Sequence, residues 1–259
     1  MKYPFVVIVL IFIMIIAYHL AKRSVSSIIP KKIFQTHKSL EYVNANNTLS
    51  KAVASWKRWS GYEHHFYDNA MCDAFMKEHY QGTDVYKAYA SLTKPVMRAD
   101  FWRYCVLYEF GGIYADCDTI CEQNPDVLRR DQVDLVVVPE PSFLFCQWVF
   151  AAPPRSPVLK SVIDLMVYRV LYPQNDISEK EYGRNWVYYF TGPMLFTDAI
   201  QAHLKYTEDI DYAPPTNGYH HRYASRVHVI TNKHHFHKHV VKHLYTGSSN
   251  EGWKTQHHE

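Results

Sequence analysis

Arg98-Ala99-Asp100-Phe101-Trp102-Arg103-Tyr104-Cys105-Val106-Leu107-Tyr108-Glu109-Phe110-Gly111-Gly112-Ile113-Tyr114-Ala115-Asp116-Cys117-Asp118 reads as a helix that runs into a strand and ends on two acids. Apolar residues at Val96, Phe101, Cys105, Val106 and Tyr108 give the helix, expected over Leu92 to Phe110, one strongly apolar face. Gly111-Gly112 stops it, because glycine takes the backbone conformation that ends a helix. Ile113-Tyr114-Ala115 is then a short strand, and Asp116 and Asp118 lie just past its carboxyl end, where open α/β sheets bind their ligands.

The flanking sequence repeats the alternation. Ile28 to Thr36 is expected to open the domain as a strand, and Ser50 to Trp59 has helical spacing at Val53, Trp56 and Trp59. Gly61 to Tyr67 reads as a second strand and Ala70 to His79 as a helix. Asp134 to Pro139 is a buried strand of the kind found in parallel sheets. Strands alternating with helices place the chain in the α/β class.

With 259 residues there is room for one large domain once the apolar N-terminus is set aside. A net charge of +3 from 28 basic and 25 acidic residues gives no nucleic-acid-binding surface. The 5 cysteines have no C-x-x-C spacing, so they suggest neither a zinc cage nor a disulfide framework, although one bridge remains open. Pro4 to Ala21 is uncharged and just long enough to span a bilayer, and Lys22-Arg23 follows in place of a small-residue cleavage site. Residues 1–23 are therefore expected to be a signal anchor and residues 24–259 the catalytic domain, a single-pass membrane protein of the Golgi or ER type II kind if eukaryotic. Lys2 and the amino terminus nearly balance Lys22 and Arg23, which leaves the orientation open. Asn46-Asn47-Thr48 is a glycosylation sequon that matters only on a lumenal side. The run His234, His235, His237 and His239 reads as solvated histidines, because no acidic or cysteine partner lies close in sequence.

Two carboxylates separated by one residue can both face a hard divalent cation if the backbone bends after the strand. Here they come within A-D-x-x-R-Y-x-x-L-Y, starting at Ala99, followed by G-G-x-Y-x-D-x-D, starting at Gly111. This combination resembles the signature of glycosyltransferase family 32, and every fixed position of the pattern is met. Ile29-Pro30-Lys31-Lys32-Ile33-Phe34-Gln35-Thr36-His37 is similar to the family's opening I-P-K-x-I-H-Q-T-W, with Phe34 in place of His and His37 in place of Trp. Thr191-Gly192-Pro193 matches a recurrent T-G-P, and His243-Leu244-Tyr245-Thr246-Gly247-Ser248-Ser249 is similar to the closing H-x-x-x-G-S-W, with Ser249 replacing Trp.

The resemblance implies a single GT-A-type nucleotide-sugar-binding domain, Rossmann-like with a mixed sheet flanked by helices. It also implies a retaining hexose transfer that depends on Mn²⁺ or Mg²⁺. Asp116, Asp118 and His243 are the implied metal ligands. Asp100 and Arg103, one turn apart on one helical face, are implied with Asp118 in catalysis, and Arg98, Asp100, Arg103, Asp116 and Trp253 in donor binding. The alternative for Asp100 and Arg103 is a plain ion pair on the helix surface. The implied donor is GDP-mannose or a UDP-sugar, and the implied acceptor a glycan, glycolipid or sphingolipid. Cys117 is expected to pack inward as a small apolar residue. Two other readings remain: an inactive glycan- or partner-binding module, for which Phe34 and His37 speak, and a metal-dependent phosphohydrolase, against which the lack of further well-spaced carboxylates speaks.

Overall fold

The computed structural model describes residues 28–140, 144–173, 185–208, 227–230 and 232–245. Trp253, Thr246 to Ser249 and the apolar stretch from Pro4 to Ala21 lie outside these. No helix of the described residues is long and apolar enough to cross a membrane.

In chain order the elements are β1 (Lys32–Thr36), α1 (Leu40–Ala45), α2 (Asn47–Lys57), β2 (Glu63–Tyr67), α3 (Asn69–Tyr80), α4 (Asp84–Ser91), α5 (Pro95–Phe110), β3 (Gly112–Ala115) and β4 (Thr119–Cys121). A 3₁₀ turn (Pro125–Leu128) leads to β5 (Leu135–Val137), β6 (Val149–Ala152), α6 (Pro157–Leu171), α7 (Asn185–Phe190), α8 (Pro193–Glu208) and β7 (Val227–Val229). A helical turn Lys233–His235 continues as a π-helical turn Phe236–Val240 into β8 (Val241–His243). Six strands form one sheet in the order β2-β1-β3-β6-β5-β7, and β4 pairs with β8 in a small second sheet.

The sheet is mixed. β1 runs parallel to β2 and β3, whereas β6 is antiparallel to both β3 and β5, and β5 is parallel to β7. The strand expected at Asp134 to Pro139 is thus flanked by one parallel and one antiparallel neighbour. Its all-apolar run reflects coverage on both faces, which mixed and parallel sheets share.

Strand alternation divides the core into two layers. Phe34, Tyr114, Leu135, Val137 and Phe150 point to one side, where α3 to α6 and α8 pack. Ile33, Ile113, Ala115, Val136 and Val149 point to the other, against Trp56 of α2, Leu128, Phe236 and Val240.

The elements begin and end where local chemistry dictates. Asn46 accepts from the Thr48 and Leu49 amides and so starts α2 three residues before the hydrophobic spacing does. Pro95 occupies the first turn of α5, where its missing N–H costs nothing, so that helix starts at Pro95 and not at Leu92. α5 also differs from its expected one-sided pattern. Every residue from Asp100 to Leu107 is buried, because the helix lies on the sheet and is covered by α3 and α6. Its end is tight. A Cβ on Gly111, at φ +62, would lie 2.5 Å from Cδ of Pro154, so the turn that delivers β3 tolerates only glycine.

Candidate active site

β3 runs out at Ala115, and the next residues turn sharply. The Asp116 carbonyl accepts from the Thr119 amide at 3.1 Å, from Thr119 Oγ1 at 2.6 Å and from Gln35 Nε2 at 3.2 Å. Trp56 Nε1 in turn lies 3.0 Å from both the carbonyl and Oγ1 of Thr119. Cys117, buried, turns its thiol inward to donate to the Thr36 carbonyl at 3.3 Å, which sends the carboxylates of Asp116 and Asp118 outward. All five cysteines are free thiols.

His243 reaches this turn from the far end of the chain. β8 pairs with β4 in a register that sets His243 opposite Thr119, and the Leu244 amide donates to the Asp118 carbonyl at 2.9 Å. His243 Nε2 stands 3.4 Å from Asp118 Oδ1, and its Nδ1 accepts from the Tyr245 amide at 3.2 Å. Asp116, Asp118 and His243 each offer a ligand atom, and these atoms all lie within 4.8 Å of one another. Two carboxylate oxygens and an imidazole nitrogen suit a hard to intermediate divalent cation such as Mn²⁺ or Mg²⁺. Loss of hydration together with the charge of Asp118 raises the Asp116 carboxyl above its ordinary range, against the pull of Arg103 and His243. Opposing carboxylates of this kind gain most from a shared cation.

Behind Asp116 lies a buried polar cluster. Arg103 NH2 is 2.9 Å from Asp100 Oδ1 and 3.5 Å from Asp116 Oδ1, its NH1 donates to the Gln147 carbonyl at 3.0 Å, and its guanidinium stacks over the Tyr114 ring. Tyr114 donates to Asp116 Oδ1 at 2.5 Å. Asp100, 1% exposed, also accepts from Gln147 Nε2 at 3.3 Å and Thr191 Oγ1 at 2.8 Å. Removal from water pushes its carboxyl up to about 7 despite the adjacent guanidinium. Arg103 is carried above its ordinary value by Tyr114, Asp116 and Asp100, although burial opposes its charge, and it remains a cation.

Asp100 and Arg103 are therefore not a helix-surface pair. They are an interior ion pair whose outer end is Asp116, with its side chain 27% exposed. Arg98 is not brought to the cluster. Two residues before Asp100 on an α-helix means a rotation of about 200°, and Arg98 instead pairs with Asp73 at 3.0 Å and lies over the Tyr89 ring. Phe34, which stands where the resembled family has His, is a core residue stacked between His65 and Phe110. His37, at the end of β1, stacks on Tyr42 with ring centroids 5.0 Å apart. His237 departs from the reading as solvated: it is half-buried, with Nε2 3.3 Å from the Pro139 carbonyl, whereas His234, His235 and His239 are exposed.

Sequence reasoning singled out neither Tyr114 nor Gln147. Tyr114 sits inside the motif and could have been found as the inward partner of Asp116. Gln147 arrives through the β3–β6 pairing, and no local signal marks it.

Residues 25–134 match the glycosyltransferase sugar-binding region containing the DXD motif, and Asp116-Cys117-Asp118 supplies that motif. The chain is similar to the initiation-specific alpha-1,6-mannosyltransferase of Schizosaccharomyces pombe, at 30% identity over 69% of this chain and 49% of the relative. It is also similar to the enzyme of the same name from Candida albicans, at 28% identity over 71% and 55%. The chain thus spans about half the length of these relatives. Among solved structures, the PaToxG glycosyltransferase shares the fold with a TM-score of 0.50, covering 76% of both chains at 18% identity. The signature on α5 and β3 and the matched region together place the chain in the family of glycosyltransferases whose sugar-binding region carries the DXD motif.

Proposed function

We propose that this protein transfers a hexose, mannose in the first instance, from a nucleoside-diphosphate sugar to a hydroxyl of a glycan, glycolipid or sphingolipid, with retention of configuration. The donor is GDP-mannose, or a UDP-sugar in its place. The observation that carries this reading is the convergence of Asp116, Asp118 and His243 beside the buried Asp100–Arg103 pair.

These three side chains would hold Mn²⁺ or Mg²⁺. When bound, such an ion stabilises the negative charge that accumulates on a departing diphosphate. The chain's own residues prepare the place. Thr119, Gln35 and Trp56 fix the turn, so Asp116 and Asp118 present their oxygens without reorganisation. Arg103 places a permanent positive charge at the inner edge of the site and acts on the donor sugar there. Asp100, with three donors already on it, positions Arg103 and does not itself reach out. His37 and Tyr42 offer a flat aromatic pair at the end of β1 for the base. Trp253 remains a donor contact in this proposal. The apolar stretch before Lys22 keeps the enzyme at a membrane, where lipid-linked acceptors are found.

The test is nucleotide-sugar hydrolysis and transfer by the detergent-solubilised full chain, with a panel of GDP- and UDP-sugars, Mn²⁺ or EDTA, and Asp118→Asn. Turnover of one donor that EDTA stops and Asp118→Asn lowers at least 100-fold is the expected result. A folded sample that binds a donor with Mn²⁺ but neither hydrolyses nor transfers it would favour the inactive binding module instead.

A further inference from the structure

Trp148 touches both halves of the ion-binding triad. Its backbone carbonyl accepts from the Asp116 amide at 2.8 Å, which follows from the register of β3 and β6, where Ala115 faces Val149. Its indole packs against the His243 ring, with centroids 4.9 Å apart, and against His237 at 5.1 Å. The residue is 5% exposed. A buried indole N–H needs an acceptor, and here Glu140 Oε1 provides it at 3.1 Å. Glu140 is placed by the base of a loop, where its amide donates to the Leu144 carbonyl at 2.7 Å and Pro139 bridges to Phe145.

His243 itself has a thin foundation. It ends a three-residue strand, and nothing about that strand fixes the rotation of an imidazole. Its ring is located by Tyr245, through the amide at one edge and an aromatic ring 4.0 Å away, by Asp118 at the other edge and by the tilted Trp148 ring at 4.9 Å. A buried indole N–H that loses its acceptor is penalised, so the acceptor oxygen at Glu140 holds the Trp148 plane.

We propose that Trp148, locked by Glu140, is a positioning residue that sets the His243 imidazole relative to Asp116 and Asp118 and thereby controls how tightly the triad holds a divalent cation. The part concerning affinity rests on the metal reading given above. Glu140 acts through Trp148 and is not itself a ligand. Residues that orient a ligating histidine in this way commonly change metal affinity by about 10- to 100-fold when removed.

Two readouts on the full chain separate the outcomes. The His243 ring resonances in ¹H–¹³C spectra without metal report its orientation, and titration with Mn²⁺ alone, followed by electron paramagnetic resonance, reports affinity. Glu140→Gln retains an oxygen that accepts from the indole and is expected to leave both near wild type. Glu140→Ala and Trp148→Phe are expected to move the His243 resonances and weaken Mn²⁺ binding about tenfold or more. Unchanged resonances in both variants, despite a lower Tm, would reduce Trp148 to a structural role and overturn the proposal. Equal weakening by Glu140→Gln and Glu140→Ala would make the Glu140 charge itself the cause, which also overturns it. If wild type takes up no Mn²⁺, the metal reading fails, while the resonances still decide whether Trp148 positions the ring.

Discussion

Thr191 places its hydroxyl 2.8 Å from Oδ2 of Asp100, joining two residues 91 positions apart inside the protein. The other oxygen of the same carboxylate receives Arg103 and Gln147. Burial has already pushed Asp100 up to about 7, and the Thr191 bond is one of the forces holding it down. Thr191→Val removes that donor at nearly constant volume. A hydrogen bond to a charged group is worth about 1.5–3 kcal/mol, so Asp100 is expected to rise by about one unit or more. The ionised form that pairs with Arg103 then exists only at higher pH. A pH profile of kcat/KM for donor hydrolysis should show its acidic limb displaced upward, with roughly a tenfold loss near pH 6.5 for a one-unit rise and little loss near pH 8.5. A uniform loss at every pH would mean that Thr191 acts on packing alone.

Gly112 is held at φ +119 where β3 comes under β1, and a Cβ there would stand 2.6 Å from the Lys32 carbonyl oxygen. Backbone cannot retreat as a flexible side chain would. Gly112→Ala is therefore expected to cost about 3 kcal/mol or more, from strain and from separation of the central strands. Urea unfolding followed by tryptophan fluorescence measures it. A loss below about 1 kcal/mol would show that the strands can part without penalty.

His64 is half-buried on β2, where Nε2 meets Gln35 Oε1 at 2.7 Å. Loss of hydration, with the neighbouring charges of Lys57 and His65, lowers it from 6.5 to about 4. The folded protein thus binds fewer protons than the unfolded chain between these values, and His64 contributes stability that is present above pH 6.5 and is lost as pH falls toward 4. With a discount for its residual exposure, the loss is about 2 kcal/mol. Unfolding free energies at pH 7 and pH 4.5 for wild type and His64→Gln should differ less in the variant. An identical pH dependence in both would place the acid sensitivity elsewhere.

The local signals in the sequence were strong where the chemistry is local. α5, the Gly111-Gly112 stop, β3 and the outward Asp116 and Asp118 all depend on neighbours within a few residues, and each stands near where the pattern put it. Helix starts slipped by about one turn where a cap, Asn46, or a proline, Pro95, overrode hydrophobic spacing. Positions that depend on strand pairing were invisible. Gln147 and Trp148 reach Asp100 and Asp116 only because β6 lies antiparallel to β3. Arg98, implied by the resemblance in donor binding, is turned by helical rotation toward Asp73 and away from Asp100. His243 was accessible through its motif alone, since its approach to Asp118 depends on the pairing of β8 with β4.

That pairing also orders events during biosynthesis. Asp118 leaves the ribosome 125 residues before His243, by subtraction of their numbers. At translation speeds of about 5–20 residues per second, the nascent chain waits roughly 6–25 seconds between Asp118 and His243. During that interval β4 has no partner strand and only two of the three side chains of the proposed cation site exist, so a chain interrupted before β8 carries the matched sugar-binding region without the imidazole that meets Asp118.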